Sequence, residues 1–378
     1  MRFAALLSVF VFSCGALTPP KTDGGTGGGG AVLGGGGGTL GGGSGGGAAG
    51  GGGGGTSGLG GGGGATGGGG GGPEIWDFST VTLSPAPSNS GAIVGFAETD
   101  AGIFAVSGSG RLYRSTGGAF TELFTFPNSL QPIDFEMSDD GHFFIISTVH
   151  FLECASNCAD AGAWTDRTIS PSNEILDSLC VVAGDHVLAI GSRGSGDDVI
   201  AYRWNGTSLA TSATTLGASG PENCWRGASG EFFIPADDTV IRYTPSSESF
   251  TPEPTATMSG WRGGGSSPGH EWVTGTGPLI AERGQSSWNN VFMPTGTSGS
   301  SIIVVVGVSP TLAFGFGAGS TSSGQAGWRY DGTSWSAITP DIPAINVAYS
   351  ALKTSSGVIY VGGYDTNQYP AIIRAARR

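Results

Sequence analysis

The stretch Gly327-Trp328-Arg329-Tyr330-Asp331-Gly332-Thr333-Ser334-Trp335-Ser336-Ala337-Ile338 has the pattern of a β-hairpin. Its centre, Asp331-Gly332, suits a type I′ turn, because both central residues of such a turn have positive φ. Aromatic residues flank the turn on both sides, as they do in half-buried strands. The stretch therefore predicts two antiparallel strands joined by a tight turn.

The same pattern returns along the chain. The apolar residue that follows each turn recurs at steps of 44, 44, 45, 41, 38 and 47 residues, at Trp76, Phe120, Trp164, Leu209, Phe250, Trp288 and Trp335. A second series consists of short apolar strands that often close in Gly or Ser, at 103–108, 143–147, 187–192, 232–236, 272–276, 312–317 and 358–363. A period in the low forties with several short strands in each unit is typical of a β-propeller.

The ends of the repeat region predict how the ring closes. Residues 75–83 have the pattern of an outer strand but follow no inner strands, whereas the last repeat stops after its third strand. We therefore expect an all-β, seven-bladed β-propeller over residues 73–378, closed by the N-terminal strand 75–83, because closure removes an exposed sheet edge. The segments Val358-Ile359-Tyr360-Val361-Gly362-Gly363-Tyr364 and Ser138-Asp139-Asp140-Gly141 resemble a kelch double-glycine strand and a shortened Asp box. The architecture thus resembles the seven-bladed propellers of kelch-like and Asp-box-like bacterial proteins.

Residues 1–14 have the pattern of an export signal. Arg2 precedes an apolar run of ten residues, which is too short to span a bilayer. The run ends in Val11-Phe12-Ser13-Cys14-Gly15, which resembles a bacterial lipoprotein signal. That resemblance implies cleavage before Cys14, lipidation of Cys14, and an exported protein held by its lipid at the outer membrane or cell surface. An ordinary cleaved signal with an incidental cysteine is the alternative.

The composition of residues 15–72 predicts a disordered tether. Between residues 24 and 72, 35 of 49 positions are Gly, and few side chains there could be buried to offset the conformational entropy lost on ordering.

The chain carries a net charge of −13 and only two lysines, Lys21 and Lys353. Because nucleic-acid binding requires a basic footprint, this composition argues against a nucleic-acid partner and against contact with anionic lipid other than through the anchor.

Four cysteines remain beside Cys14. Cys180 and Cys224 lie 44 residues apart, which is one repeat period, and Cys154 and Cys158 bracket a short loop. In an exported chain this arrangement favours disulfides 154–158 and 180–224. The alternative is a metal site built from His150, Cys154, Cys158 and Asp160, but zinc needs four convergent ligands and the spacing does not ensure convergence.

The predicted function is that of a monomeric binding or scaffold module for an envelope protein or extracellular glycan, without a cofactor, a metal or identified catalytic residues. The candidate ligand-binding residues lie in two matched segments, Cys224-Trp225-Arg226 and Gly260-Trp261-Arg262, and are Trp225, Arg226, Trp261 and Arg262. Packing between blades is the other explanation for both tryptophans. The alternative function is a carbohydrate-active hydrolase or lyase resembling sialidase propellers, which would require a cluster of carboxylates at the channel mouth.

Overall fold

The structure is a computed structural model that describes residues 74–127, 130–167, 174–193, 198–213, 216, 220–237, 239–255, 260–276, 279–292, 301–318, 327–338, 342 and 345–378. The predicted signal 1–14 with Cys14, the predicted tether 15–72 and Pro73 lie outside the described residues.

The described chain consists of short strands, with one 3-10 helix at Ala161–Ala163 among them. The strands are β1 (Trp76–Val81), β2 (Leu83–Ser84), β3 (Ile93–Thr99), β4 (Gly102–Ser107), β5 (Arg111–Ser115), β6 (Phe120–Thr125), β7 (Asp134–Met137), β8 (Phe143–Ile146), β9 (Phe151–Cys154), β10 (Thr165–Asp166), β11 (Glu174–Ala183), β12 (His186–Arg193), β13 (Asp198–Trp204), β14 (Leu209–Ala213), β15 (Trp225–Arg226), β16 (Phe232–Ala236), β17 (Thr239–Thr244), β18 (Ser249–Pro254), β19 (Trp261–Ser267), β20 (His270–Gly275), β21 (Leu279–Arg283), β22 (Trp288–Phe292), β23 (Ser301–Ser309), β24 (Leu312–Ala318), β25 (Gly327–Tyr330), β26 (Trp335–Ala337), β27 (Val347–Lys353), β28 (Ile359–Tyr364) and β29 (Pro370–Arg377).

The strands pair antiparallel in consecutive sets, within which the first strand pairs with the second, the second with the third and the third with the fourth. In order along the chain, sets 1 to 6 are β3–β6, β7–β10, β11–β14, β15–β18, β19–β22 and β23–β26. Set 7 consists of β27, β28 and β29, with β1 as its fourth strand. The opening hairpin of the sequence analysis is β25–β26, in which Tyr330 lies opposite Trp335.

The N-terminal segment contacts two sets. Trp76 lies opposite Arg377 and Val81 opposite Ile372, so β1 completes set 7. The chain then leaves this sheet, and Leu83 pairs in parallel with Phe120 of set 1. The stretch 75–83, expected to be one strand, therefore divides between the last and the first set.

The first strands of neighbouring sets lie side by side. Gly95 of β3 pairs in parallel with Phe135 of β7, and Gly264 of β19 pairs in parallel with Val304 of β23. Between sets 7 and 1, the hydroxyl of Ser350 donates to the carbonyl of Ile93 at 3.2 Å. The first strands thus surround an axis, and the prediction of an all-β propeller is confirmed.

The core lies between neighbouring sets. Phe104 of set 1 packs edge-on against Phe143 of set 2 at 5.0 Å between ring centroids, and Trp272 of set 5 packs against Tyr330 of set 6 at 5.2 Å. Apolar residues of each second strand fill these interfaces, and their burial supplies the main favourable free energy of folding.

The two faces of the propeller differ in what they carry. We call the face at which the first strands begin the front face; because strand direction alternates, the turns between second and third strands also lie there. The turns between first and second strands and between third and fourth strands lie at the back face. Trp76 is opposite Arg377, and the amide of Arg378 donates to the carbonyl of Ile75 at 3.0 Å, so both ends of the described chain lie at the back. In the part of the chain that the structure describes, no helix has the length and apolar character needed to cross a membrane.

Candidate functional site

The first strands carry a repeated β-bulge near the front face. In five sets the pairing with the second strand skips one residue near the start of the first strand. These bulged residues are Val94, Asp177, Arg262, Ile303 and Tyr349. A bulge redirects a side chain and interrupts the ladder, so an equivalent position near the axis is marked in each of these sets.

Glycines on the second strands accommodate the bulges. A Cβ on Gly191 would lie 2.0 Å from the carbonyl oxygen of Ile175, and one on Gly363 would lie 1.8 Å from that of Val347. A Cβ on Gly317 would likewise lie 1.9 Å from the carbonyl oxygen of Ser301. The glycines that close several of the apolar strands in the sequence are therefore required by the close approach of the backbone.

Two further carboxylates belong to this level of the axis. Asp134 precedes Phe135, the partner of Gly95, and therefore stands beside Val94. Glu222 precedes β15 and forms an ion pair with Arg262. We call Val94, Asp134, Asp177, Glu222, Arg262, Ile303 and Tyr349 the axial ring. Sets 2 to 5 contribute its charged residues, and sets 1, 6 and 7 contribute uncharged ones.

Burial dominates the electrostatics of the charged half of the ring. It raises the pKa of Asp134 to about 6, against hydrogen bonds from the amides of Leu179 and Phe135, both at 2.8 Å. Burial, and then the charge of Asp134, raises the pKa of Glu136, which lies on the same side of β7, well above its usual range.

The Glu222 carboxylate of set 4 acts on Asp177 of set 3. Burial, and then the Glu222 carboxylate, raises the pKa of Asp177 to about 7, although the hydroxyl of Ser192 donates to Asp177 at 3.3 Å. Burial also raises the pKa of Glu222, and the charge of Arg262 opposes that shift. Carboxyl groups with raised pKa values are thus concentrated on one side of the axis.

The back end of this region is crossed by an ion pair. Arg226, the last residue of the first strand of set 4, places Nη1 2.9 Å from Oδ2 of Asp139 in the first turn of set 2. The carbonyl of Arg226 also accepts a hydrogen bond from the hydroxyl of Ser266 at 3.1 Å. Arg226, a candidate ligand-binding residue, is therefore engaged at the back face, away from the axial ring.

The other three candidate residues occupy different environments. Trp261 is 1% exposed and packs in the core between sets 4 and 5, so its ring is inaccessible to a ligand. Trp225 is half-buried and lies 5.5 Å from the ring of Phe233 and 6.1 Å from that of Trp288. For both tryptophans the geometry is that of packing between sets. Arg262 alone of the four lies in the axial ring.

Both predicted disulfides are present. Cys154 is joined to Cys158 and Cys180 to Cys224, each with Cα atoms 5.7 Å apart. Because Cys154 and Cys158 are bonded to each other, neither is a thiolate ligand, which removes the alternative metal site with His150 and Asp160. Among the described residues, no group of three or more His, Cys, Asp or Glu side chains is arranged to hold a metal ion.

The histidines are separated around the ring. His142, His186 and His270 stand at the start of the second strands of sets 2, 3 and 5. His186 Nε2 lies 2.6 Å from the hydroxyl of Tyr243, and His270 Nδ1 lies 2.5 Å from Oε1 of Glu282. These partners give His186 and His270 separate structural environments, away from the axial ring.

The axial carboxylates were missed in the sequence. Asp134, Asp177 and Glu222 follow one another at 43 and 45 residues, and Arg262 follows after a further 40. These intervals are close to the repeat period, and this spacing is the signal in the sequence that could have indicated the axial carboxylates.

Comparisons with known proteins identify a fold. Neither a protein-family model nor a curated protein sequence matches the chain. Among solved structures, virginiamycin B lyase from Staphylococcus aureus is similar with a TM-score of 0.63 and 12% identity, over 80% of this chain and 99% of that one. YCF48 from Cyanidioschyzon merolae is similar with a TM-score of 0.55 and 15% identity, over 79% and 98% of the two chains. The extracellular domain of a one-component system from B. thetaiotaomicron has a TM-score of 0.57 and 13% identity, over 79% and 39%. At such identities the likeness shows the β-propeller fold alone.

Proposed function

We propose that the chain is an exported, lipid-anchored scaffold whose propeller binds a protein of the cell envelope at its front face. Each four-stranded set is one blade in this proposal, which gives seven blades within residues 73–378. Residues 1–14 are the signal, Cys14 carries the lipid and residues 15–72 form the tether. Two disulfides suit an oxidising compartment, and the extracellular domain among the similar structures is consistent with export.

One structural observation carries the proposal. The described chain begins at Glu74 at the back face, so the preceding residues attach there, whereas the axial ring lies near the front. The front face therefore lies opposite the point where the described chain begins, which suits it to meet a partner. The YCF48 propeller, which has the same fold, has been solved bound to the D1 peptide.

Two measurements test this proposal. Cys14→Ser should move the protein from the membrane fraction to the soluble fraction without lowering the melting temperature of the propeller. A photoreactive residue at Thr148, in an exposed front-face turn, should give a protein adduct in intact cells. The same residue at Asp100, in an exposed back-face turn, is the matched control and should give none. Unchanged membrane partition, or adducts of equal yield from both positions, would contradict the proposal.

A hydrolase or lyase acting on a glycan is the second candidate. The observation that favours it is the Asp177 carboxyl, whose pKa of about 7 suits a general acid, beside the Glu222 carboxyl in the axial ring. Asp177→Asn should then abolish turnover of an extracellular polysaccharide and leave its binding intact. If no polysaccharide is degraded by the unaltered protein, this candidate fails while the binding function stands.

A further inference from the structure

Large apolar side chains that are exposed concentrate on the front face. Six such residues stand out in the described part of the chain: Ile75, Ile133, Val149, Ile175, Tyr349 and Tyr369. Ile75 lies at the back, beside Arg378. The other five precede or begin a first strand or lie in a turn between second and third strands, which places them at the front. An uneven distribution of this kind marks an interaction surface.

Three of the five are close neighbours. Ile133 and Val149 belong to set 2. The amide of Ile133 donates to the carbonyl of Ile146 at 2.8 Å, and Ile146 is the last strand residue before the turn that contains Val149. Ile175 belongs to set 3, and the amide of the next residue donates to the carbonyl of Thr148 at 3.0 Å. We call Ile133, Val149 and Ile175, which are 36%, 39% and 44% exposed, the front patch.

Carboxylates border the front patch on its axial side. Asp134 directly follows Ile133, and Asp177 comes two residues after Ile175. Glu136 lies one step deeper on β7, and its carboxyl has no hydrogen-bond or ion-pair partner among the described residues. By contrast, Glu174 at the edge of the patch is paired with Arg193 at 2.5 Å. No cation of the described chain pairs with the carboxyls of Asp134, Glu136 and Asp177, and a bound cation would favour their ionised form.

A ligand that matches this surface must bring apolar area and positive charge together. An uncomplexed cation would leave the front patch exposed to water. An anionic membrane surface would be repelled by the net charge of −13. A second copy of the chain would bring the same negative charge. A lysine or arginine carried between apolar residues satisfies both requirements.

We infer that the front patch and the carboxylates of Asp134, Glu136 and Asp177 together bind an extended segment of a partner protein in which apolar residues flank a lysine or arginine. The apolar side chains cover Ile133, Val149 and Ile175, and the cation reaches the carboxylates beside the axis. This inference rests on the proposed function, since it names the partner chemistry of the same face.

The probe for the test is a phage library of random dodecapeptides selected on the purified protein. Selected peptides should share a basic residue flanked by apolar ones. Glu136→Gln, and separately Ile133→Ser with Ile175→Ser, should each weaken binding of the synthetic consensus peptide roughly tenfold or more. Replacing the basic residue of that peptide by glutamine should weaken binding similarly. Melting temperatures of all variants should show that they remain folded.

Matched controls lie elsewhere on the molecule. Ile75→Ser removes the apolar side chain exposed at the back, and Glu248→Gln removes an exposed carboxylate that pairs with Arg203 at 3.0 Å. Neither should change peptide affinity by as much as about twofold.

Several results would overturn the inference. Selected peptides without a basic residue, or a consensus peptide whose affinity is unchanged by Glu136→Gln, would exclude the proposed recognition. A dimer in sedimentation that dissociates in the Ile133→Ser/Ile175→Ser variant would make the patch an interface between copies. Binding of a neutral polysaccharide that is lost in the same variant would assign the surface to a glycan. If front-face adducts still form in cells after any of these results, protein binding stands and only the partner chemistry is refuted.

Discussion

Cys180 and Cys224 are joined by a disulfide between set 3 and the segment that enters set 4, with Cα atoms 5.7 Å apart. Cys180 lies within the first strand of its set, and Cys224 directly precedes the first strand of the next. The bond therefore fastens two neighbouring first strands beside the axis. The two cysteines are 44 residues apart in sequence, so the bond closes a long loop and restricts the unfolded chain.

Replacing Cys180 and Cys224 together by alanine should lower the free energy of unfolding. The chain-entropy model gives an upper value of about 4 kcal/mol, and packing between the sets should reduce it. The matched control replaces Cys154 and Cys158, which are only four residues apart and for which the same model gives about 2 kcal/mol. Urea denaturation measures both losses. A non-reducing peptide map that links Cys180 or Cys224 to Cys154 or Cys158 would contradict this assignment.

Removal of the closing strand should destabilise the propeller strongly. Deletion of residues 1–84 leaves the outer edge of the third strand of set 7 without its partner strand and uncovers Phe314, against which Trp76 packs at 5.1 Å. We expect a sharply lowered melting temperature and a tendency to aggregate through the open edge. Deletion of residues 1–73 is the control and should melt like the intact chain. Equal melting temperatures for both deletions would show that closure contributes nothing.

Most of the architecture was predictable because the outer, second and third strands keep regular patterns. Trp288 and Trp335, for example, mark the starts of fourth strands, as their spacing predicts. The first strands do not show such regular patterns. Bulges at Asp177 and Arg262 shift the alternation of side chains within a strand, and the following glycines, such as Gly263, carry no apolar signal.

The candidate site was less predictable than the fold for the same reason. Trp225 and Trp261 were prominent in sequence because aromatic residues mark many binding sites, yet both pack between sets. Asp134 and Asp177 are unremarkable in isolation. They become a site only when the register of neighbouring first strands brings them to one level of the axis, and sequence spacing alone does not fix that register.

Gly363→Ala should destabilise the propeller. The added Cβ would lie 1.8 Å from the carbonyl oxygen of Val347, so the backbone of one strand must move, at a cost of about 1–3 kcal/mol or more. Gly118→Ala is the control, because no atom lies within 4 Å of its added Cβ. Thermal denaturation should show a large loss for the first variant and none for the second. Equal melting temperatures would disprove the proposed role of the bulge.

Glu253 should be a strong stabiliser of the interface between sets 4 and 5. It is 3% exposed and receives hydrogen bonds from Arg283 at 2.9 and 2.7 Å and from Nε1 of Trp288 at 3.1 Å. Arg242 Nε lies 2.9 Å from the same carboxylate. Glu253→Gln leaves two guanidinium groups without this compensating charge and should cost about 3–5 kcal/mol.

The control for Glu253 is an exposed ion pair. Glu248→Gln removes the partner of Arg203, where side-chain exposures of 48% and 32% predict a loss of about 0–1 kcal/mol. Chemical denaturation at neutral pH compares the two variants. Equal losses would mean that the buried network contributes no more than a surface pair.

The stability of the propeller should decrease as pH rises from about 4 to about 7. Burial raises the pKa of Asp177 and of Glu271 to about 7 and that of Asp134 to about 6, whereas these groups titrate near 4 in the unfolded chain. In this interval the folded state therefore holds protons that the unfolded state has lost. Because the unfolded state then binds fewer protons, the free energy of unfolding falls with increasing pH and levels off once the folded groups have ionised.

Asp177→Asn tests this dependence directly. The variant removes a carboxyl whose ionisation is unfavourable in the folded state, so at pH 8 it should be more stable than the unaltered protein by up to about 4 kcal/mol. At pH 4 the two should be equally stable, because Asp177 is then protonated in the folded protein.

The control is Asp331→Asn: hydrogen bonds from the Ser334 amide and the Thr333 hydroxyl lower the pKa of Asp331 to about 2. Asp331 therefore stabilises the fold above about pH 4 and loses that effect as pH falls through about 2, the opposite sign. Urea denaturation between pH 2 and 8 measures the slopes, and a gain for Asp177→Asn that is the same at every pH would refute the assigned titration.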